Sequence, residues 1–233
     1  MKAVGIIGYK KTGKTTLAVS LASELTSRGL RVAAAKFTHH AFDRADTDTA
    51  KLAEVCSAVM GLSENQTQMV WNDKRHLPDL LPLVSADVLI VEGGKSLGWL
   101  PRVLLLRSAG EADELGRDLA LATYGGVGAA GLHSVSAVSE LADIVLAKGF
   151  ALPGLDCGAC GLESCRALAE RMAAGTADDL RCKASHGGLR ISVGGTTLAM
   201  NPFVASIVRG SIMGMLGQLK GYAPGVSVRI DMD

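Results

Sequence analysis

The chain has 233 residues, of which 48% are hydrophobic and 4% aromatic, and its formal net charge is +1. This length and hydrophobic content suffice for one large or two modest domains with a buried core. A surface for nucleic acid is not expected, because the chain has neither a strong basic field nor many aromatic residues for base stacking. No apolar run is long enough to span a membrane or to act as a secretory signal, so we expect a cytoplasmic protein without a membrane partner.

Strands and helices alternate through the first 150 residues. Short apolar runs that stop at glycine or polar residues predict strands, and leucines at helical spacing predict helices. The predicted strands are residues 2–8, 31–37, 68–71, 87–91, 101–107, 119–123 and 144–147. The predicted helices are residues 15–28, 49–61, 77–84 and 134–142. This alternation predicts an α/β fold with a mostly parallel sheet.

The alternation ends near residues 149–157, where the sequence changes character. Four of the five cysteines follow within residues 157–182, with a predicted helix at 166–174. The remaining predicted elements are strands at 189–193 and 197–200, a helix at 203–219 and a strand at 226–230. Together they form a small α+β unit of order ββαβ, with Gly194-Gly195 as a hairpin turn. We therefore predict three units, at residues 1–150, 151–186 and 187–233.

The first predicted strand leads into GYKKTGKT, residues 8–15, which fits the phosphate-binding pattern G-x-x-x-x-G-K-[ST]. Gly8 and Gly13 let the backbone curl so that N–H groups face a phosphate, and the following helix adds a partial positive charge. We expect Lys14 to reach the β- and γ-phosphates, Thr15 to ligate Mg²⁺ and Thr16 to contact the α-phosphate. The same loop adds three further candidate nucleotide-binding residues, Lys10, Lys11 and Thr12.

A phosphate loop of this kind needs a carboxylate at the end of a second buried strand, where it holds Mg²⁺ or its water. Glu92 follows the apolar run DVLIV and is our candidate. Asp87 begins the same strand, so it lies at the wrong end. Lys14 and Glu92 are therefore the residues that we expect to serve catalysis, through charge neutralisation rather than as a general base.

Polar residues also follow the second predicted strand, at the carboxyl edge of the sheet where ligands bind in open α/β folds. Lys36 and His39 are candidates to face phosphate or a second substrate, together with His40. The two adjacent histidines could instead bind a metal. Asp46 and Asp48 in the next loop either support Mg²⁺ or are merely solvated.

The nucleotide base is not specified by these residues, because no N-K-x-D guanine signature occurs in the sequence. The segment after residues 119–123 is the expected position of a base-reading loop. GTP and ATP therefore both remain possible from the residues alone. No general base is evident either, which predicts slow hydrolysis.

The cysteines have the spacing C-x2-C-x4-C-x16-C at Cys157, Cys160, Cys165 and Cys182. Clustered thiols in a chain without a secretory signal indicate metal ligation rather than disulfides. One C-x-x-C pair favours a [4Fe-4S] cluster over structural zinc, which usually uses two such pairs, although zinc and free thiols remain alternatives. The cluster could carry electrons, sense redox state or stabilise a segment with little core. Cys56 lies in a predicted helix and is expected in the core.

The cysteine segment resembles the C-G-x-C-G-x-x-x-C…C iron–sulfur modules of anaerobic electron-transfer subunits.

The first 148 residues resemble the molybdopterin-guanine dinucleotide biosynthesis protein B (MobB) family. That resemblance rests on three stretches of the sequence: GYKKTGKTTL, AAAKFTHH with a later aspartate in DRADTDTA, and LIVEGGK. The family shows a G-x-K-x-x-G-K-T-T-L loop, a lysine–histidine strand end and a V-E-G-[FY]-K strand end. This sequence departs at Gly94, where the family has a bulky residue, and in its extension after residue 150.

The family resemblance implies a dimeric GTP-binding accessory protein with weak GTPase activity. Such a protein would assist the conversion of molybdopterin to its guanine dinucleotide form, beside the transferase that makes the bond. Lys14, Thr15 and Thr16 would then bind nucleotide and Mg²⁺, Glu92 would support the metal, and Lys95 would lie near the phosphates. The expected partners are this transferase or a molybdenum- or tungsten-containing enzyme, and a second copy of the chain.

Two other functions fit the same residues. A metallochaperone-type GTPase would insert a metal or deliver electrons into a redox enzyme and would use His39 and His40 together with the cluster. A redox-sensing interaction module would bind nucleotide without hydrolysing it.

Overall fold

A computed structural model describes residues 1–38, 47–178, 180–184, 189, 191–193, 196–198, 200, 202–223, 228 and 230. Its strands are β1 (Lys2–Gly8), β2 (Val32–Lys36), β3 (Ala58–Leu62), β4 (Thr67–Trp71), β5 (Val88–Glu92), β6 (Arg102–Leu105), β7 (Ala120–Tyr124), β8 (Ser134–Val135), β9 (Ser192–Val193) and β10 (Thr196–Thr197). Six of them form one sheet in the order β2-β5-β1-β6-β7-β8, with every pairing parallel. The predicted α/β fold with a mostly parallel sheet is confirmed.

Helices lie between these strands and after them. They are α1 (Lys14–Ser27), α2 (Asp48–Ala53), α3 (Leu77–Leu80), α4 (Glu111–Glu114), α5 (Val138–Lys148), α6 (Cys165–Ala174) and α7 (Pro202–Leu216). Two 3-10 turns lie at Leu81–Leu83 and Arg117–Leu119. No helix in the described part of the chain is both long and apolar enough to cross a membrane.

One face of the sheet is covered by α1 and α5. Leu17, Leu21 and Leu25 recur every four residues on α1 and are all buried against the sheet. Leu141 and Val145 on α5 pack in the same cluster. The central strands are covered on both faces, so their sequences are continuous apolar runs, as expected for a parallel sheet.

The cysteine segment covers the opposite face. Its buried residues share a core with the sheet and with the loop after β5: Leu152, Cys165, Leu168 and Ala169 pack with Ala3, Leu89, Val91, Trp99, Leu100 and Leu119. The segment at 151–184 therefore stabilises the same sheet that carries the phosphate loop. The division of the chain near residue 150 stays a prediction.

The helix predicted at residues 49–61 is wrong beyond Ala53. The amide of Asn72 donates hydrogen bonds to the carbonyls of Ala53 and Cys56, which satisfies the end of α2. The chain then forms the antiparallel hairpin β3–β4, which closes through Ser63 and Gln66. Cys56 lies in the turn between helix and hairpin and is exposed, so its predicted place in the core is also wrong.

The strand predicted at residues 144–147 is wrong as well, because this apolar run belongs to α5. Leu141, Ala142 and Val145 are its buried residues, and their spacing is that of a helix rather than of a strand. The short strand β8 instead precedes this helix, at residues that were predicted to be helical.

The C-terminal region contains the predicted hairpin, as β9–β10, and the predicted helix, as α7. Gly194-Gly195 between the two strands lies outside the described residues. The last strand predicted at 226–230 falls mostly outside them too.

Candidate functional site

The phosphate loop begins where β1 ends. A Cβ atom at Gly8 would lie 2.7 Å from both the carbonyl oxygen of Leu105 and the hydroxyl of Thr12, so only glycine fits there. Lys11 and Gly13 have positive φ angles of 64° and 87°. The Thr12 hydroxyl donates a hydrogen bond of 2.9 Å to the carbonyl of Tyr9. These contacts curl the backbone into the compact turn that the sequence pattern predicts.

The start of α1 faces this turn. Gly13 is its N-cap and offers no side-chain oxygen to the first-turn N–H groups, which leaves them to a ligand. The Lys14 ammonium donates a hydrogen bond of 2.6 Å to the carbonyl of Tyr9. Burial lowers the pKa of Lys14, as do the nearby cations Lys95 and Lys36, while the Glu92 carboxylate opposes the shift. Lys14 is therefore a partly desolvated cation beside the loop.

Three predicted site residues meet at the carboxyl edge of the sheet. The Thr15 hydroxyl donates a hydrogen bond of 2.8 Å to Oε1 of Glu92. The Lys36 ammonium lies 3.2 Å from Oε2 of Glu92 and 3.3 Å from the Thr15 hydroxyl. This is possible because Lys36 and Glu92 are register partners on the adjacent strands β2 and β5.

This group of oxygens has the donor chemistry of a magnesium site. A hydroxyl and a carboxylate oxygen are ligands that Mg²⁺ prefers, and a cation, the Lys36 ammonium, already lies against both. The side chains of Thr15 and Glu92 are therefore suitable ligands for the Mg²⁺ ion that usually accompanies a nucleotide at a phosphate loop.

A second group of charges surrounds the aromatic ring of Tyr9, and sequence reasoning had named only Lys95 among its members. The Lys95 ammonium lies 3.8 Å from the ring centroid and the Arg107 guanidinium 4.4 Å. The Tyr9 hydroxyl donates a hydrogen bond to the carboxylate of Glu114, which raises the pKa of the tyrosine. Lys95 thus lies against the ring of a phosphate-loop residue, and its predicted place near the phosphates stays a prediction. Arg107 follows β6 at the same sheet edge as Lys36, so its position could have been found by the same argument.

The turn after Glu92 depends on two glycines with positive φ angles, Gly93 at 84° and Gly94 at 71°. A Cβ atom at Gly94 would lie 2.9 Å from the side chain of Leu97 and 3.1 Å from that of Phe37. Leu97 and Phe37 therefore occupy the space beside the position where the resembled family has a bulky residue.

A buried arginine fixes the loop that carries Lys95. Arg102 is 2% exposed, and its guanidinium donates hydrogen bonds to the carbonyls of Lys95, Leu97 and Leu115 at 2.6, 2.9 and 2.7 Å. Burial lowers the pKa of Arg102 to about 10, with a further contribution from Arg166. Its Nε has no hydrogen-bond partner in the part of the chain that the structure describes.

The other predicted residues of the nucleotide site are placed as follows. Lys10, Lys11 and Thr16 are exposed on the loop and the first turn of α1. Asp87 pairs with Arg31 at the opposite edge of the sheet, as expected. The Asp48 carboxylate is solvated at the start of α2. His39, His40 and Asp46 lie outside the described residues.

The four clustered cysteines differ in burial. Cys165 is 8% exposed at the first position of α6, whereas Cys157, Cys160 and Cys182 are half-buried. Cys160 and Cys182 pack in the same apolar cluster as Cys165. Burial raises the pKa of the Cys165 thiol. Three of the four thiols thus share one environment on the sheet face.

The chemistry of this donor set fits an iron–sulfur cluster or zinc, since both take four thiolates. Gly158 and Gly161 have positive φ angles, and a Cβ atom at Gly161 would meet nothing within 4 Å, so the loop has open space beside its cysteines. Across the described residues, no three His, Cys, Asp or Glu side chains are gathered closely enough to hold a metal ion. Ligation by all four cysteines remains a prediction.

An open cleft of about 680 Å³ lies beside the cysteine loop rather than at the phosphate loop. It runs between Gly161–Glu163 and α6, and its charged lining residues are Asp118, Glu163, Glu170 and Arg171.

Comparisons with known proteins match two regions of the chain. Residues 3–123 match the family described as "Molybdopterin guanine dinucleotide synthesis protein B", and residues 152–184 match one described as "Putative Fe-S cluster". A "Putative molybdopterin-guanine dinucleotide biosynthesis adapter protein" of Methanocaldococcus jannaschii is 25% identical over 242 residues, covering 100% of this chain and 98% of that protein. A "Molybdopterin-guanine dinucleotide biosynthesis adapter protein" of Haemophilus influenzae is 30% identical over 112 residues, covering 45% of this chain and 62% of that protein.

Solved structures resemble part of the chain. The crystal structure of Bacillus subtilis MobB has a TM-score of 0.53 at 20% identity and covers 64% of this chain and 99% of that one. A crystal structure of molybdopterin-guanine biosynthesis protein B has a TM-score of 0.52 at 21% identity and covers 62% of this chain and 97% of that one. At this level of identity, the likeness establishes the fold.

Proposed function

The chain belongs to the molybdopterin guanine dinucleotide synthesis protein B family, and on that premise we propose that it is a GTP-binding adapter in molybdenum or tungsten cofactor biosynthesis. Curated relatives are described as adapter proteins of molybdopterin-guanine dinucleotide biosynthesis. The proposed partners are the transferase that makes the dinucleotide, or an enzyme that receives the finished cofactor.

The observation that carries this proposal is the contact between Thr15 and Glu92. It places a hydroxyl from the phosphate loop 2.8 Å from a carboxylate at the end of the neighbouring strand. Lys14 lies beside them as a partly desolvated cation. A phosphate loop, a hydroxyl and a strand-end carboxylate are together what nucleoside triphosphate binding with Mg²⁺ requires.

Nucleotide chemistry at this site would rest on position and charge. Lys14 would offset negative charge on the β- and γ-phosphates, and the first-turn N–H groups of α1 would hold their oxygens. Mg²⁺, when bound at Thr15 and Glu92, would neutralise further charge on the same phosphates. Since no general base is evident in the sequence, we propose slow hydrolysis, on the order of one turnover per minute or slower.

The experiment is anaerobic isothermal titration of the purified chain with GTP and with ATP in the presence of MgCl₂, followed by phosphate release with the tighter ligand. We expect GTP to bind more tightly than ATP and to be hydrolysed slowly. If neither nucleotide binds, the proposed function is wrong. Binding without any hydrolysis would favour the redox-sensing interaction module, which binds nucleotide without hydrolysing it.

We also propose that Cys157, Cys160, Cys165 and Cys182 bind a [4Fe-4S] cluster. Support comes from the family match over residues 152–184 and from the three thiols that share one cluster of side chains. When bound, such a cluster would supply one-electron redox chemistry. Iron, acid-labile sulfide and zinc analysis of anaerobically purified protein tests this proposal, because zinc without sulfide would contradict it.

A homodimer is the proposed assembly, and the β3–β4 hairpin is its proposed contact. Met60, Leu62 and Met69 on this hairpin are 68%, 78% and 40% exposed. A two-stranded hairpin with an exposed apolar surface is marginally stable alone and is a typical contact surface. A second copy of the hairpin would cover these side chains.

A further inference from the structure

The Lys36 ammonium contacts the two side chains that would hold a divalent cation. It lies 3.2 Å from Oε2 of Glu92 and 3.3 Å from the hydroxyl of Thr15, the two oxygens that fit Mg²⁺. Magnesium binds such oxygens at about 2.1 Å. A divalent ion held by the same two oxygens would therefore be repelled by the adjacent ammonium.

The backbone of Lys36 is fixed, whereas its side chain can move. Lys36 pairs with Glu92 in the parallel register of β2 and β5, and the next N–H, of Phe37, donates a hydrogen bond of 2.9 Å to the carbonyl of Glu92. The Lys36 side chain is nevertheless 49% exposed, against 14% for that of Glu92. Lys36 can therefore swing away from the carboxylate without any change in the sheet.

The surrounding charges favour this arrangement when no nucleotide is bound. Lys14 also lies near Glu92, so two ammonium groups, those of Lys36 and Lys14, lie near one carboxylate, and Lys95 adds positive charge near Lys14. A divalent cation that approaches the nucleotide-free site meets this positive charge and finds its carboxylate already paired. Phosphate groups bring the negative charge that reverses this balance.

We propose that Lys36 acts as a resident counter-ion of Glu92, which excludes divalent metal from the nucleotide-free site and moves to a phosphate oxygen when metal and nucleotide enter together. The inference rests on the proposed function, since it describes how the same site is loaded. It makes metal binding conditional on nucleotide.

The test is direct Mn²⁺ binding to the full chain, measured by room-temperature EPR of free Mn²⁺ without any nucleotide. We expect Lys36→Met to bind Mn²⁺ about tenfold more tightly than the unchanged protein, because it frees Glu92 and Thr15. The double variant Lys36→Met with Glu92→Gln should lose this gain. Lys36→Arg, which keeps the charge, should bind Mn²⁺ as the unchanged protein does. So should Lys148→Met, because Lys148 precedes Gly149, which packs against Ala3 at the end of β1 that is remote from the site.

Equal Mn²⁺ affinity of the unchanged protein and Lys36→Met would overturn the inference, and so would a gain that persists without Glu92. The nucleotide arm repeats the titration with GTP present. There the advantage of Lys36→Met should vanish or reverse, because Lys36 now contributes to phosphate binding, and a persistent advantage would also overturn the inference. If GTP does not bind at all, the proposed function fails, while the nucleotide-free comparison still decides whether Lys36 excludes the metal.

Discussion

The N–H of Leu152 donates a hydrogen bond of 2.9 Å to the carbonyl of Trp99. Trp99 belongs to the loop that follows Glu92 and Lys95, and Leu152 begins the segment that carries the four cysteines. Gly154 packs against the same indole, since a Cβ atom there would lie 3.1 Å from Trp99. Gly98 packs in the same way against Arg166, the residue after Cys165. The cysteine segment is thus built directly onto the loop of the candidate nucleotide site.

This packing predicts that Trp99 is needed for the stability of both parts. Trp99→Ala should lower the free energy of unfolding by about 3–5 kcal/mol, because it leaves a cavity between the sheet and the cysteine segment. Trp71→Ala on the β3–β4 hairpin is the matched control and should cost less than about 1 kcal/mol. Urea denaturation followed by circular dichroism measures both values. A small effect at Trp99 would show that the two parts do not share a core.

The iron–sulfur proposal predicts that the cysteines are not equivalent. Cys165→Ser should lower the iron and sulfide content strongly, whereas Cys56→Ser should leave both unchanged because Cys56 is exposed in the turn after α2. Metal analysis and the visible absorption of anaerobically purified variants provide the comparison. An equal loss in both variants, or none in either, would contradict the assignment.

The ion pair between Arg31 and Asp87 predicts a dependence of stability on acid. Hydrogen bonds from the Arg31 side chain and backbone lower the pKa of Asp87 from 3.8 to about 2. The folded state therefore binds fewer protons than the unfolded state between these values, so the stabilisation is complete above pH 3.8 and is lost as the pH falls towards 2. Asp87→Asn should thus be less stable than the unchanged protein at pH 5, and the difference should shrink by pH 3. Urea unfolding at both values measures it, with the solvated Asp48→Asn as control, and a constant difference would refute the argument.

The dimer proposal predicts that a charge on the hairpin separates the subunits. Leu62 is 78% exposed, so Leu62→Glu should leave the fold intact and yield a monomer, because it would bury a carboxylate in an apolar contact. Sedimentation velocity distinguishes the two states. Val55→Glu, which alters a residue that is 83% exposed but lies outside the hairpin, is the control. A Leu62→Glu protein that stays dimeric would exclude this contact surface.

Features set by local sequence could be predicted before the structure. The phosphate loop, the strand that ends at Glu92 and the edge that carries Lys36 follow from short patterns and from the geometry of parallel sheets. The sequence predicts that Lys36 and Glu92 lie at the carboxyl edge of the sheet. It cannot predict that they contact each other, because the contact depends on the register between β2 and β5. The same holds for the approach of Lys95 and Arg107 to Tyr9, which joins three separate segments.

The errors have a common cause. Residues 58–62 and 144–147 are both short apolar runs, for which helix and strand cannot be distinguished by periodicity. In the first case an antiparallel partner at Thr67–Trp71 and the Asn72 amide ended the helix. In the second, burial against α1 and the sheet continued it. Tertiary contacts decided both, and Cys56 became exposed as a result.

The central claim is that the loop from Gly8 to Thr15 binds a nucleoside triphosphate. Its most direct test is the GTP affinity of Lys14→Ala, measured anaerobically by titration calorimetry with MgCl₂, beside Lys148→Ala as a charge-matched control. The structure predicts that Lys14→Ala weakens binding by about a hundredfold or more, since a partly desolvated cation at the phosphates is lost, while the control binds normally. Unchanged GTP affinity in Lys14→Ala would contradict the account.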